Sequence, residues 1–238
     1  SKEQQDTYIE ELGKTNTDWY DELFRNSVST THNLSINGGG DKYTYYTSLA
    51  YTRNAGLLKN NDYDRYNLTA NLSMHPSQKV KIDFGASMSY QYSKSPALNS
   101  LDPFQYAYFA NPYEKPYNAD GSYTKYIDTA NDVNPLYRAQ NYAREITNNS
   151  YRVNIFLELK PFKGFNYRLN TSFYNRQQED GEVKGVNYPG GGATAKLTNN
   201  EQRNYLIENI FTYEVPIKKQ QHKLTLTAVQ SVDHSQTK

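Results

Sequence analysis

The chain has 238 residues, with 26 basic and 25 acidic side chains and no cysteine. Near-neutrality gives no reason to expect nucleic acid as a partner, and the missing cysteine excludes a disulfide framework, thiolate metal ligands and a cysteine nucleophile. The strongly negative mean hydropathy, with no apolar run near the roughly 18 residues that a spanning helix needs, excludes a transmembrane helix but not a membrane barrel, whose strands show only alternate residues to lipid.

The chain opens with SKEQQDTYIEEL, which has neither the basic start nor the apolar stretch of a secretory leader. The expectation is therefore a processed chain or an internal piece of a longer one. Residues 1–27 read as helical turns, with Tyr8, Ile9 and Leu12 at helical spacing and a second short turn over Asp18–Phe24.

Beyond residue 28 the pattern is strand and loop, with eight predicted strands at about 29–36, 43–53, 65–75, 80–93, 150–160, 165–176, 202–215 and 222–234. The clearest is Val80–Tyr92. Val80, Ile82, Phe84, Ala86, Met88, Tyr90 and Tyr92 alternate with Lys81, Asp83, Gly85, Ser87, Ser89 and Gln91. Side chains on a strand point to opposite faces in turn, so one face meets an apolar phase and the other a polar one. The run is also longer than the roughly 5–6 residues of a common strand and fits the roughly 9–11 of a tilted membrane strand. Tyr66, Leu68, Ala70, Leu72 and Met74 alternate in the same way, as do Tyr151, Val153, Ile155, Leu157 and Leu159, where Phe156 breaks the pattern. The segment 202–215 is ambiguous, because Leu206 and Ile210 are out of phase with Phe211, Tyr213 and Val215, which suggests a bulge or a shifted register.

Short links at Asn37–Lys42, Pro76–Lys79, Pro161–Gly164 and Pro216–Gln221 alternate with long ones at 54–64, 94–149 and 177–201. That asymmetry is characteristic of transmembrane barrels, with short periplasmic turns and long external loops. It places residues 1–27 outside, as an external loop that follows an earlier strand. The 24 tyrosines suit the two interfacial girdles of such a barrel, although tyrosine also favours strands in general. The expected fold is all-β, an antiparallel transmembrane β-barrel segment with long extracellular loops and no internal domain boundary over 28–238.

Candidate functional residues fall in two groups. On the polar face stand Lys81, Asp83, Arg152, Glu158, Lys160, Arg168, Arg176 and Glu214. They either solvate a barrel interior and pair with neighbours or touch a substrate. The long loop holds Phe104, Tyr106, Tyr108, Phe109, Tyr113, Tyr117, Tyr123 and Tyr126 among Pro103, Pro112, Pro116 and Pro135. Three uses stay open for these rings: substrate contact, contact with a protein lid, and packing of the loop on itself.

Signals for catalysis or metal binding are weak. His32, His75, His222 and His234 lack metal-pair spacing, and the glycine runs 38–40 and 190–192 lack the Lys-Ser/Thr of a phosphate loop. Asn60, Asp62 and Asp64 have the spacing that opens a calcium loop, but the glycine and closing glutamate are missing. The expectation is no enzyme, no metal and no cofactor.

NTDWYDELFR (16–25), THNLSINGGGDKYTYYTSLAYTRNAGLL (31–58), YDRYNLTANLS (63–73), NPYEKPYNADGSY (111–123) and NPLYRAQ (134–140) together resemble the SusC/RagA family of TonB-dependent outer-membrane transporters. The resemblance implies about eight strands, roughly the second to ninth, of a 22-stranded barrel in the outer membrane of a Gram-negative bacterium. It further implies import of oligosaccharides or oligopeptides, a SusD-like surface lipoprotein as lid, and energy from the TonB complex acting on a plug that these motifs do not include. Two other readings are kept from the residues themselves: a complete eight-stranded outer-membrane barrel, as an adhesin or lipid enzyme, and a secreted carbohydrate-binding β-sandwich.

Overall fold

The computed structural model describes residues 2–96, 102–127, 132–188, 191–217 and 222–238. Eight long strands form one antiparallel sheet: β1 (Val28–Gly40), β2 (Tyr43–Ala55), β3 (Asp62–Ser77), β4 (Val80–Pro96), β7 (Tyr142–Leu159), β8 (Phe165–Lys184), β9 (Thr194–Val215) and β10 (Leu224–Thr237). Each pairs with the next in chain order, so β1 and β10 are opposite edges of an open sheet. Between β4 and β7 lie a helix α3 (Pro103–Phe109), a two-residue pair β5 (Tyr126–Ile127) and β6 (Asp132–Val133), and a helix α4 (Pro135–Asn141). Helices α1 (Lys2–Gly13) and α2 (Trp19–Leu23) precede the sheet.

All eight predicted strands are present, and most are longer than their apolar alternation. β7, β8 and β9 run on through 142–149, 177–184 and 194–201, so the long link expected at 177–201 shortens to residues 185–193. These extensions are mostly polar, QQEDGEVK in β8 for example. A ribbon with water on both sides keeps its backbone ladder while losing the two-residue rhythm by which strands are read. The 94–149 link likewise contains folded elements. The last short link, Pro216–Gln221, lies partly outside the described residues, as does Gly190 of the second glycine run.

Register carries one face across the whole sheet. Phe84 stands opposite Leu72 on β3 and Ile155 on β7; Met88 stands opposite Leu68 and Tyr151. The same face continues through Leu49 and Leu34 on one side and through Phe173, Tyr205 and His234 on the other. β8 and β9 pair without a break from Lys184↔Thr194 to Phe165↔Tyr213, so no bulge interrupts 202–215. Leu206 and Ile210 simply occupy the polar face, opposite Ser172 and Arg168. The irregularity falls instead between Met74 and Ser77, where Pro76 has no N–H for the ladder.

Among the described residues no second layer covers the apolar face. Met88 is 57% exposed and Leu34 68%, values that a sandwich core would not allow. The open sheet likewise differs from a closed eight-stranded barrel. The apolar band is edged by aromatics at both ends: Tyr51 and Tyr43 on β2, Phe173 and Phe165 on β8, Tyr205 and Tyr213 on β9. Eight positions separate each pair. At roughly 3.3 Å per residue that is ~26 Å of strand, or ~20 Å of depth at a tilt near 40°, close to the ~25 Å apolar band of a membrane barrel. At the long-loop end neighbouring rings touch: His32 with Tyr51, Tyr51 with Tyr66, Tyr66 with Tyr90, Tyr151 with Phe173, and Tyr205 with His234. This is an antiparallel transmembrane β-barrel segment. The buried apolar cluster lies elsewhere, in a cap at the long-loop end.

Candidate functional site

The cap is assembled from residues far apart in sequence. Trp19, Leu23 and Phe24 pack with Tyr106, Ala107, Ile127 and Leu136, and Leu58, Ala110 and Tyr123 close the cluster. Trp19 is 3% exposed, lies edge-on to Tyr106 with ring centroids 5.4 Å apart, and donates its Nε1–H to the Asn111 carbonyl at 3.0 Å. Thr17 extends this seam, donating its N–H to Pro112 O and its hydroxyl to Glu114 O. On the other side Arg25 holds the β2–β3 link through Asp62 at 2.7 Å and the Gly56 carbonyl at 3.0 Å.

Three short helices build the cap, and each has a local cause. Asp18 caps α2 by accepting from the N–H groups of Tyr20 and Asp21. Asp102 and Asn134 cap α3 and α4, each followed by a proline at the first helical position, where no N–H is needed. Asn134 is fully buried; its amide donates to Pro116 O at 2.9 Å and Thr124 Oγ1 at 3.0 Å while its oxygen accepts from Leu136 N–H. These contacts bring together DWYDELFR, the GLL at the end of β2, NPYEKPYNADGSY and NPLYRAQ.

The loop rings divide accordingly. Tyr106, at 5% exposed, is withdrawn from any ligand or lid and belongs to the core, which corrects its place among the contact candidates. Tyr123 packs against that core, and Phe104 stacks on Phe24 at 4.6 Å. Tyr117 and Tyr123 face each other at 5.4 Å across a hairpin whose turn needs Gly121 at φ +82°. Tyr117 donates to Glu22 Oε2 at 2.5 Å. Losing that proton beside a carboxylate is unfavourable, and partial burial adds to the effect, so the phenol is pushed up to about 12. In the same turn Asp120 accepts from the Ser122 hydroxyl and N–H, which holds its carboxyl below the usual range. Tyr108, Phe109, Tyr113 and Tyr126 remain exposed.

One cleft joins α1 to this loop. It measures about 260 Å³ and is lined by Tyr8, Tyr113 and Tyr126, with Glu11, Glu114 and Lys115 among its polar groups. Tyr8 is not among the expected contact residues, because a helical segment with three apolar residues reads as a packing face; here it lines the cleft and stays 62% exposed.

The polar face of the sheet is a wall of paired groups. Lys81, Asp83, Arg152, Glu158, Arg168 and Arg176 share it by register. Lys81 pairs with Asp83 at 2.9 Å and lies over the Phe156 ring. Glu158 accepts from Asn166 and Arg168 and pairs with Lys160 at 2.9 Å. Arg152 sits over Tyr174, 4.9 Å from its ring centre, and Arg176 donates to Asn148 at 2.9 Å. Such mutual pairing is how a wet interior keeps charges in place. The calcium-like spacing at Asn60, Asp62 and Asp64 is otherwise engaged: Asp62 by Arg25, and Asp64 by the Tyr51 hydroxyl at 2.7 Å.

An open sheet with a girdled apolar face, a polar face of paired charges and a folded cap at one end defines a segment of an outer-membrane-type barrel. The comparisons narrow the class. No protein-family profile matches the chain. It is 26% identical over 213 residues to TonB-dependent receptor P3 of Formosa agariphila, covering 84% of this chain and 21% of that one. To TonB-dependent receptor SusC of Bacteroides thetaiotaomicron it is 33% identical over 129 residues, covering 50% of this chain and 12% of that one. Among solved structures, the RagAB peptide transporter shares the fold with a TM-score of 0.76 at 16% identity, covering 94% of this chain and 27% of that one. The chain therefore spans about a fifth of the length of the first of the curated relatives it matches. Its curated matches are named TonB-dependent receptors, SusC among them, and its fold is that of a barrel segment of such a structure.

Proposed function

We propose that this chain is one part of a TonB-dependent importer in the outer membrane of a Gram-negative bacterium, taking up oligosaccharides or oligopeptides together with a SusD-like surface lipoprotein. The observation that carries this reading is the uncovered apolar face between two aromatic girdles, on a sheet with the fold of the RagAB peptide transporter. Residues 28–238 form barrel strands and loops as a single unit, and the cap built on residues 1–27 and the β4–β7 link faces the exterior.

In this reading the tyrosine cleft of Tyr8, Tyr113 and Tyr126 meets the ligand first, since aromatic faces stack on sugar rings and on peptide side chains. Exposed Phe104, Tyr108 and Phe109 face the lid lipoprotein. The polar wall, including Lys81, Asp83, Arg152, Glu158, Arg168 and Arg176, solvates the path and holds the plug, which TonB displaces. The ligand undergoes no covalent change.

The test is uptake by the whole receptor. A strain lacking it should fail to accumulate the oligosaccharide or peptide that it consumes, at concentrations too low for passive entry, and tagged receptor should co-purify a lipoprotein from outer membranes. Unchanged uptake of every tested glycan and peptide, or recovery of the protein in the soluble fraction, would overturn the reading.

A further inference from the structure

The polar wall is charge-balanced toward both of its ends and not in between. Toward the short links Lys81 pairs with Asp83, and Lys160 and Arg168 pair with Glu158; toward the long loops Arg144 pairs with Asp180. Arg65, Arg152 and Arg176 stand between these groups, and among the described residues none of the three pairs with a carboxylate. Arg65 donates to Asn67 at 2.9 Å and to Ser89 at 3.3 Å. Arg176 donates to Asn148 at 2.9 Å and to Gln178 at 2.8 Å, and Arg152 lies 4.9 Å over the Tyr174 ring. All of these partners are neutral.

Register shows how far the uncompensated charge extends. The rows of paired residues through Ser87, Ser89 and Gln91 of β4 cross the polar face from β1 to β9. They hold the three arginines and no Asp or Glu; apart from Ala50, every other side chain in them carries a hydroxyl or an amide. Arg152 and Arg176 are diagonal neighbours on β7 and β8, about 7–8 Å apart at the backbone. Like charges so placed repel, and an anion from outside the sheet relieves the repulsion. The level is that of the long-loop girdle, since Tyr90 lies between Ser89 and Gln91 on the opposite face of β4.

The donor geometry is set in advance. Arg152 rests its face on Tyr174 and leaves its N–H edge open, while two amides steer Arg176. Planar guanidinium forks of this kind take the oxygens of a carboxylate or a similar oxyanion two at a time. We propose that Arg65, Arg152 and Arg176 bind the carboxylate or sulfate groups of an acidic oligosaccharide at the mouth of the barrel. Between them lie side chains such as Ser89, Ser150 and Gln91, which meet sugar hydroxyls and offer nothing to the apolar side chains of a peptide. This rests on the import reading above, with the long loops outward, and narrows its ligand to one chemistry.

The test titrates full-length receptor in detergent with hexagalacturonate, with a sulfated dextran oligomer, and with the methyl ester of hexagalacturonate, which keeps the sugar rings and loses the charge. At least one acidic probe should bind about tenfold tighter than the ester or better, and Arg152→Gln and Arg176→Gln should each weaken that binding about tenfold. Arg203→Gln, on the opposite face and paired with Glu201, should leave it unchanged. Equal binding of acidic and esterified probes, binding of neither acidic probe, or tighter binding of a hexaglutamate peptide overturns the proposal. So do Gln variants that keep their ligand but leak ions in planar bilayers, because the arginines then hold the plug. Uptake by cells separates this proposal from the reading it rests on. If wild type imports neutral glycans or peptides and ignores acidic sugars, the anion site alone falls; if it imports nothing, both fall.

Discussion

Replacing Trp19 by Ala is the sharpest perturbation of the cap. The ring is almost wholly buried, packs edge-on against Tyr106 and donates to Asn111 O. Truncating a buried Trp costs about 3–5 kcal/mol, and leaving the Asn111 carbonyl without this donor adds about 1 kcal/mol. The cap core is a cluster of seven buried residues, so a loss of about 4–6 kcal/mol should open it as a unit, below the stability of the sheet. Hydrogen exchange on the full-length receptor reads this directly. At tenfold per roughly 1.4 kcal/mol, amide protection in 18–25, 104–127 and 134–141 should fall by about three to four orders of magnitude, while β4 and β7 keep theirs. Trp19→Phe, which keeps most of the ring and loses the donor, should fall about tenfold. Cap protection unchanged in Trp19→Ala, or β4 and β7 losing protection in step, would refute the view of the cap as an independent packed module.

Tyr8→Ala, Tyr113→Ala and Tyr126→Ala should each weaken ligand affinity by about 1 kcal/mol, roughly fivefold, with barrel assembly intact by heat-modifiable migration; unaltered affinity in all three removes the cleft from the ligand path. Gly164 has φ +86°, and a Cβ there would stand 2.6 Å from Glu214 O, so Gly164→Ala should cost about 1–3 kcal/mol in bilayer unfolding, whereas Gly191→Ala, with open space around it, should be near neutral. The Tyr117 proton titrates above its unfolded value near 10, so its bond to Glu22 supports the cap fully below about pH 10 and is lost as pH rises toward about 12. Cap exchange should accelerate over that window in wild type and lack that component in Tyr117→Phe.

Strand number, facing and the long-loop end could be read from the alternation of Val80–Tyr92 and its neighbours, because lipid on one side and polar groups on the other print a two-residue rhythm. The rhythm failed where both sides are wet, hence the underestimated lengths of β7, β8 and β9. At Leu206 and Ile210 it misled, since the polar wall tolerates an occasional aliphatic residue opposite Ser172 and Arg168. The cap was legible only in parts. Asp102-Pro103 and Asn134-Pro135 are cap-and-start signals for α3 and α4 that single them out as helices, whereas the burial of Trp19 has no such local signal. Nothing local marks Tyr106 as core and Tyr108 as exposed: both are tyrosines of one seven-residue helix, and only its packing against α2 separates them.

Lipid contact of the apolar face is most directly measured with nitroxide labels placed one at a time along β4 and β7 of the full-length receptor in bilayers, which this segment permits because it has no cysteine of its own. Labels at Phe84, Ala86, Met88 and Ile155 should be relaxed by membrane-dissolved oxygen and shielded from a water-soluble nickel chelate. Labels at Gly85, Ser87, Ser89 and Asn154 should show the reverse. Loss of this alternation, or chelate access at Phe84 and Met88, would contradict the account.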